Sequence, residues 1–196
     1  LNTIHSKKVS VLTGRAGTGK TEVLNIFIQG LIQEGEKPAD FLILAPTGKA
    51  RVRIINNLRK DGIGGINPQT IHQHLKKYGW LDKKLRFSKE GGEKTFVKNI
   101  IIDEASMMPV DLLATLIKSI EFSNVERLIF VGDPNQLPPI GPGRPYDDIV
   151  RWFSNNHKEN LSNLNERVRQ KTRNSVCLKL ADGFLRGENV TCGCHL

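Results

Sequence analysis

Cysteine is scarce in this 196-residue sequence, with three in all, and aromatic residues make up only 6% of it. Cys177, Cys192 and Cys194 leave one thiol over whichever bridge is drawn. That argues against a disulfide framework and for a reducing, cytoplasmic setting. No apolar run approaches the roughly eighteen residues a membrane-spanning helix needs, so no membrane partner is expected. The opening residues, Leu1 to Lys8, have neither an initiator methionine nor the apolar core of a signal peptide. The start is therefore expected to be a boundary inside a longer parent protein. Acidic residues are also in deficit, 20 against 29 basic ones, for a formal charge of +9. That excess either marks a polyanionic partner, attracted through counterion release, or is a plain basic solvated surface. Cys192, Cys194 and His195 gather three ligand types near one end, as part of a metal site or as a loose tail.

What is present is ordinary for one globular domain with a full core: 38% hydrophobic and 25% charged residues. Short β-branched runs alternate with helical stretches. Strands are expected over 9–13, 41–45, 99–103 and 127–132, and helices over 21–34, 49–59 and 110–120, with a further amphipathic stretch over 175–185. In the first helix Val23, Leu24, Phe27, Ile28 and Leu31 share one face. Strands separated by helices imply parallel pairing with right-handed crossovers, hence an α/β fold: a mostly parallel sheet flanked by helices. Ligands in such sheets sit at the carboxyl ends of the strands. Residues 76–98 break the rhythm, with Trp80, Leu81, Leu85, Phe87 and Phe96 around a polar, glycine-containing centre. They are expected to form a small inserted β-hairpin turning at Gly91 and Gly92, which divides the main unit into residues 1–75 and 99–196.

Gly14, Arg15, Ala16, Gly17, Thr18, Gly19, Lys20 and Thr21 fit G-x-x-x-x-G-K-[ST] at every fixed position, between an expected strand and helix. The glycines let backbone N–H groups curl around phosphate oxygens, and the helix N-terminus adds its positive end. Lys20 is expected to bridge the β and γ phosphates of ATP, and the Thr21 hydroxyl to take a position on Mg²⁺. The strand Ile100-Ile101-Ile102 ends in Asp103 and Glu104. Adjacent carboxylates there suit a metal ligand, Asp103, and a general base, Glu104. The next strand ends in Gly132-Asp133-Pro134-Asn135-Gln136, followed by a stiff proline- and glycine-rich segment through Gly143. An amide at Gln136 is placed to sense the γ-phosphate and report its loss to that segment.

In order along nearly the whole chain, these elements resemble superfamily 1 class B helicases of the RecD-like kind, and so a RecA-like P-loop NTPase fold. The phosphate loop looks like motif I, Leu44 to Ala50 like motif Ia, Thr70-Ile71-His72 like motif Ib, Asp103-Glu104-Ala105-Ser106-Met107 like motif II, and Gly132 to Pro139 like motif III. Residues 164–170 are similar to motif IV. The resemblance implies an ATP-dependent helicase motor moving 5′ to 3′ on DNA, with Gln136 as γ-phosphate contact and Arg169 as arginine finger, Arg167 being the rival. It also implies single-stranded DNA as partner, with Pro46, Thr47, Gly48, Lys49, Thr70, His72, Pro138 and Pro139 as candidate contacts. Lys49 can neutralise a phosphate, and rigid prolines can support a base. Thr47 serves equally as a helix cap and His72 as a structural histidine. In the insertion Trp80, Phe87 or Phe96 either stacks on a base or packs against its own domain. Motifs V and VI of a second RecA-like domain are missing from these residues, so the chain alone is expected to bind nucleotide without unwinding DNA. A P-loop ATPase switch or remodelling protein that does not act on DNA is the alternative.

Overall fold

Three apolar runs and the mixed run Val9 to Thr13, each too short for a helix, are buried on both faces and form the centre of a parallel sheet. The computed structural model describes residues 2–164. Arg167, Arg169, the amphipathic stretch 175–185, Cys177, Cys192, Cys194 and His195 lie outside the described residues. A short helix α1 (Asn2–Ser6) leads into β1 (Val9–Gly14), α2 (Lys20–Gln33), β2 (Phe41–Ala45) and α3 (Gly48–Lys60). There follow β3 (Gln69–Thr70), α4 (Ile71–Lys77), β4 (Asn99–Ile102), α5 (Val110–Lys118), β5 (Arg127–Gly132), α6 (Pro145–Asn156) and β6 (Leu161–Leu164). The six strands run in the order β3-β2-β4-β5-β1-β6, and every pairing is parallel.

Alternate residues of each strand feed opposite faces, as a pleated strand requires. Val11, Leu42, Leu44, Ile100, Ile102, Leu128 and Phe130 point to the face covered by α4, α5 and α6. Leu12, Ile43, Ile101, Ile129 and Val131 point to the face covered by α1, α2 and α3, where Leu24, Phe27, Ile28 and Leu31 form the apolar stripe of α2. In-register pairs such as Ile43 with Ile101 and Val11 with Phe130 bring the carboxyl ends of β1, β4 and β5 side by side. Sheet and helices thus form a RecA-like α/β architecture. The two-residue β3, the edge strand β6 and the short α4 carry too few apolar residues to stand out as periodic segments, whereas α6, absent from the expected helices, does carry a helical stripe of Tyr146, Ile149, Val150 and Phe153.

The insertion differs from the expected hairpin. Its reversal lies at Asp82–Arg86, not at Gly91 and Gly92, and is closed by a single antiparallel bridge between Leu81 and Phe87. Asp82 organises the turn: its carboxylate accepts from the backbone N–H groups of Lys84 at 2.7 Å and Arg86 at 3.0 Å. The glycines serve different purposes, Gly92 close packing and Gly91 a left-handed backbone at φ 81°. A Cβ on Gly92 would collide with the Tyr78 carbonyl oxygen, and one on Gly91 would lie 3.4 Å from the Trp80 ring. Trp80 is half-buried against the core and donates its indole N–H to the Glu93 carbonyl at 2.7 Å. Phe87 and Phe96 are exposed.

The end of the insertion docks through Thr95, whose N–H donates to the Ser119 carbonyl at 2.8 Å. Beneath it His74 is buried, with Nε2 at 3.2 Å from Thr95 Oγ1 and Nδ1 without a hydrogen-bond partner. Burial, reinforced by the Lys77 charge, lowers its pKa from 6.5 to about 4. A depressed histidine stays neutral in the folded state while the unfolded chain takes up a proton. Its stabilising effect is complete above pH 6.5 and lost as pH falls toward 4, to the extent of about 3 kcal/mol. His74→Gln, which keeps a group able to bond Thr95, is expected to flatten this dependence. Urea midpoints compared at about pH 7 and about pH 4 check it; identical pH dependence in both proteins contradicts the assignment.

Candidate functional site

Strand β1 ends at Gly14, where the chain passes so close to its surroundings that a Cβ would lie 2.6 Å from Thr18 Oγ1 and 2.9 Å from the Leu164 carbonyl oxygen. Gly17 and Gly19 take φ values of 83° and 85°, a left-handed conformation that side chains resist. Buried Thr18 closes the loop by donating its hydroxyl to the Arg15 carbonyl at 2.9 Å. Helix α2 starts at Lys20 with Gly19 as N-cap and no side-chain cap, whereas α3 and α4 are capped by Thr47 and Thr70. Its first-turn N–H groups therefore face the loop without a side-chain acceptor, as an anion site requires. The Lys20 ammonium donates to the carbonyls of Gly14 at 2.5 Å and Arg15 at 3.1 Å. Burial lowers its pKa, against the opposing charges of Asp133, Glu104 and Asp103.

At the end of β4, Asp103 is buried and its N–H donates to the Leu44 carbonyl at 2.9 Å, continuing the ladder with β2. One of its oxygens accepts from the Glu104 N–H at 2.9 Å. Burial first, then the neighbouring Glu104 charge, pushes its pKa up to about 6. A buried carboxyl beside a second carboxylate is a place where a cation is favoured. Glu104 sits in the left-handed region, at φ 53° and ψ 37°, which re-aims its side chain. Its Oε1 accepts from Arg53 Nη1 at 2.9 Å, while Oε2 is buried without a partner.

At the end of β5, Asp133 is buried and accepts the Asn135 N–H at 2.9 Å through its side chain and the Gln136 N–H at 3.1 Å through its carbonyl. This tight turn brings Gln136 to a concavity that it lines together with residues 16–21, Arg53 and Glu104. The segment behind Gln136 is fastened to the N-terminus of α5. The Val110 N–H donates to the Pro142 carbonyl at 3.0 Å, and a Cβ on Gly141 would lie 2.5 Å from Pro109. Its outer side is left open, with Leu137 86% and Ile140 108% exposed.

The phosphate loop, Glu104 and Gln136 thus converge, with Thr21 buried in the first turn of α2 and Asp103 buried at the end of β4 next to Glu104. A second group lies along the same sheet edge. Ala45 pairs with Thr70, so Pro46–Lys49 and Thr70–His72 leave adjacent strand ends together. The Thr47 hydroxyl accepts the Ala50 N–H at 3.2 Å, and Thr70 forms a reciprocal capping box with Gln73 at 3.1 and 2.9 Å. Gly48 and Lys49 are exposed and His72 is half-buried; the buried structural histidine is its neighbour His74. Pro138 and Pro139 lie on the loop after β5. Sequence reasoning missed Arg53. It lies in the second turn of α3 with no motif around it, and only the folded chain brings it to Glu104.

An AAA domain family model, AAA_19, matches residues 1–142. The RecBCD enzyme subunit RecD of Buchnera aphidicola subsp. Schizaphis graminum is 28% identical over 178 residues, which is 84% of this chain and 28% of that protein. The ATP-dependent RecD2 DNA helicase of Deinococcus radiodurans is 28% identical over 188 residues, 96% of this chain and 23% of that protein. The chain therefore spans less than a third of these relatives. Among solved structures, the large terminase of a thermophilic bacteriophage superposes with a TM-score of 0.53 at 15% identity, over 92% of this chain and 45% of that one. That likeness concerns the fold alone.

Proposed function

We propose, because this chain belongs to the AAA_19 family of AAA domains and matches RecD and RecD2 over most of its length, that it is the ATP-binding motor domain of a RecD-like, 5′–3′ DNA helicase. The observation that carries the reading is the convergence of the phosphate loop, Glu104 and Gln136 on one concavity at the carboxyl edge of the parallel sheet. The loop N–H groups and Lys20 hold the triphosphate of ATP. Thr21 and Asp103 hold Mg²⁺, which neutralises phosphate charge when bound. Among the described residues no group of three His, Cys, Asp or Glu side chains gathers around a metal position. A site with one carboxylate and one hydroxyl, completed by phosphate oxygens and water, is the kind Mg²⁺ takes.

In the hydrolytic step the Glu104 carboxylate accepts a proton from water as its oxygen bonds the γ-phosphorus. The bond to the β–γ bridging oxygen breaks, and ADP leaves with the electron pair beside Lys20. Gln136 contacts the γ-phosphate and passes its loss to the segment anchored on Pro109 and Val110. Arg169 is proposed as the arginine finger. Single-stranded DNA runs across the sheet edge over Pro46, Thr47, Gly48, Lys49, Thr70, His72, Pro138 and Pro139, with 76–98 as a small inserted element beside it. Unwinding is proposed for the assembly that includes a second RecA-like domain, and nucleotide binding for these 196 residues. Steady-state ATP hydrolysis by the full-length protein is expected to rise severalfold when oligothymidylate is added. A rate indifferent to single-stranded DNA sinks the helicase reading in favour of a switch that remodels proteins.

A further inference from the structure

Helix α3 carries two things at once. Its first turn, from the Thr47 cap through Gly48 and Lys49, faces the proposed DNA path, and its second turn presents Arg53 to the proposed ATP site. Arg53 Nη1 lies 2.9 Å from Glu104 Oε1, across a pair in which the carboxylate side chain is 13% exposed and the guanidinium 45%. A pair with one half-exposed member contributes modestly to stability. This one is different in what it constrains. Glu104 is a left-handed residue between Asp103 and Ala105, both buried, so its backbone is fixed in an uncommon conformation. Its carboxylate is then held by a single partner. With Oε1 occupied by Arg53, Oε2 is buried without a protein hydrogen-bond partner and out of reach of solvent, so in this arrangement the carboxylate has still to be turned toward water.

We propose that Arg53 is a positioning residue that orients Glu104 for hydrolysis and ties that orientation to DNA bound at the start of α3. The inference rests on the reading of Glu104 as general base and of α3 as DNA-facing. Because Thr47 to Arg53 spans less than two turns of one hydrogen-bonded helix, a strand that draws the N-terminus of α3 moves the guanidinium with it. Glu104 follows through the ion pair. Without DNA, the carboxylate sits where Arg53 alone leaves it; with DNA, it is aimed at the water. The chemistry is unchanged and only the aim of the base differs, so the effect falls on kcat and not on nucleotide affinity.

The test uses the full-length protein, with ATP turnover measured with and without oligothymidylate. Arg53→Ala is expected to lower the DNA-stimulated kcat about tenfold to hundredfold, with the KM for ATP and the affinity for the oligonucleotide each within about twofold of wild type. Arg53→Lys, which restores a cation without the planar fork, recovers part of the loss. Unchanged melting temperatures separate these results from unfolding. A wild-type stimulated kcat in Arg53→Ala overturns the proposal. So does a KM for ATP that rises in step with the loss of rate, which makes Arg53 a phosphate ligand. Failure of the underlying reading looks different: the wild-type protein then shows no stimulation by DNA, or Glu104→Gln turns over normally.

Discussion

Lys20→Ala is expected to reduce ATP affinity about a hundredfold to a thousandfold, the equivalent of two charge-assisted hydrogen bonds of roughly 1.5–2 kcal/mol each. The ammonium bonds the Gly14 and Arg15 carbonyls at 2.5 and 3.1 Å, so it already stands at the mouth of the loop. Its pKa is lowered by burial, which means that the charge is partly stripped of water before any phosphate arrives. An anion arriving there meets a cation whose desolvation cost has been met in folding, and Coulomb attraction acts at reduced dielectric. Alanine removes that attraction and leaves two carbonyls that water can reach. The fold is expected to persist, with stability within about 1 kcal/mol of wild type. Isothermal titration with ATP, alongside a thermal melt, reads both quantities. Wild-type affinity in a folded Lys20→Ala protein removes the loop from the nucleotide site.

How much of this was legible beforehand depended on whether a residue's role is local. The phosphate loop is written in contiguous residues: Gly14 must avoid Thr18, Gly17 and Gly19 must take positive φ, and Lys20 follows at once. Three of the four central strands were equally plain, because burial on both faces leaves β2, β4 and β5 with unbroken apolar runs, while β1, interrupted by Ser10 and Thr13, was marked by the phosphate loop that follows it. Arg53 illustrates the opposite case. It sits 51 residues from Glu104, and its neighbours on α3 give no sign of what it faces. The glycines at 91 and 92 misled for a physical reason. Glycine serves both positive φ and close approach wherever they occur: Gly92 is required by the Tyr78 carbonyl and the Trp80 ring, and Gly91 takes φ 81° away from the chain reversal. Asp82, whose carboxylate makes the actual turn, looked like one more charged residue in a charged loop.

Glu104→Gln is expected to leave ATP binding intact in the full-length protein while cutting turnover about 10²- to 10⁴-fold, the range that a general base contributes. The substitution is conservative in shape and retains an oxygen able to accept from Arg53, so the 2.9 Å contact survives. What changes is the second terminal atom. Oε2, buried and unpartnered, becomes an amide nitrogen, which donates where a carboxylate oxygen would have accepted a proton. Removing one negative charge next to the triphosphate also lowers repulsion, so affinity for ATP is expected to hold or tighten. The same change relieves Asp103, whose carboxyl is pushed up to about 6 by burial and then by the Glu104 charge. The variant should therefore be slow because it lacks a proton acceptor, with its metal ligand easier to ionise and its phosphate loop undisturbed. Single-turnover hydrolysis of prebound ATP isolates that step from binding and product release. Wild-type single-turnover rates place the proton acceptor elsewhere, and reduce the left-handed Glu104 to an anchor for Arg53.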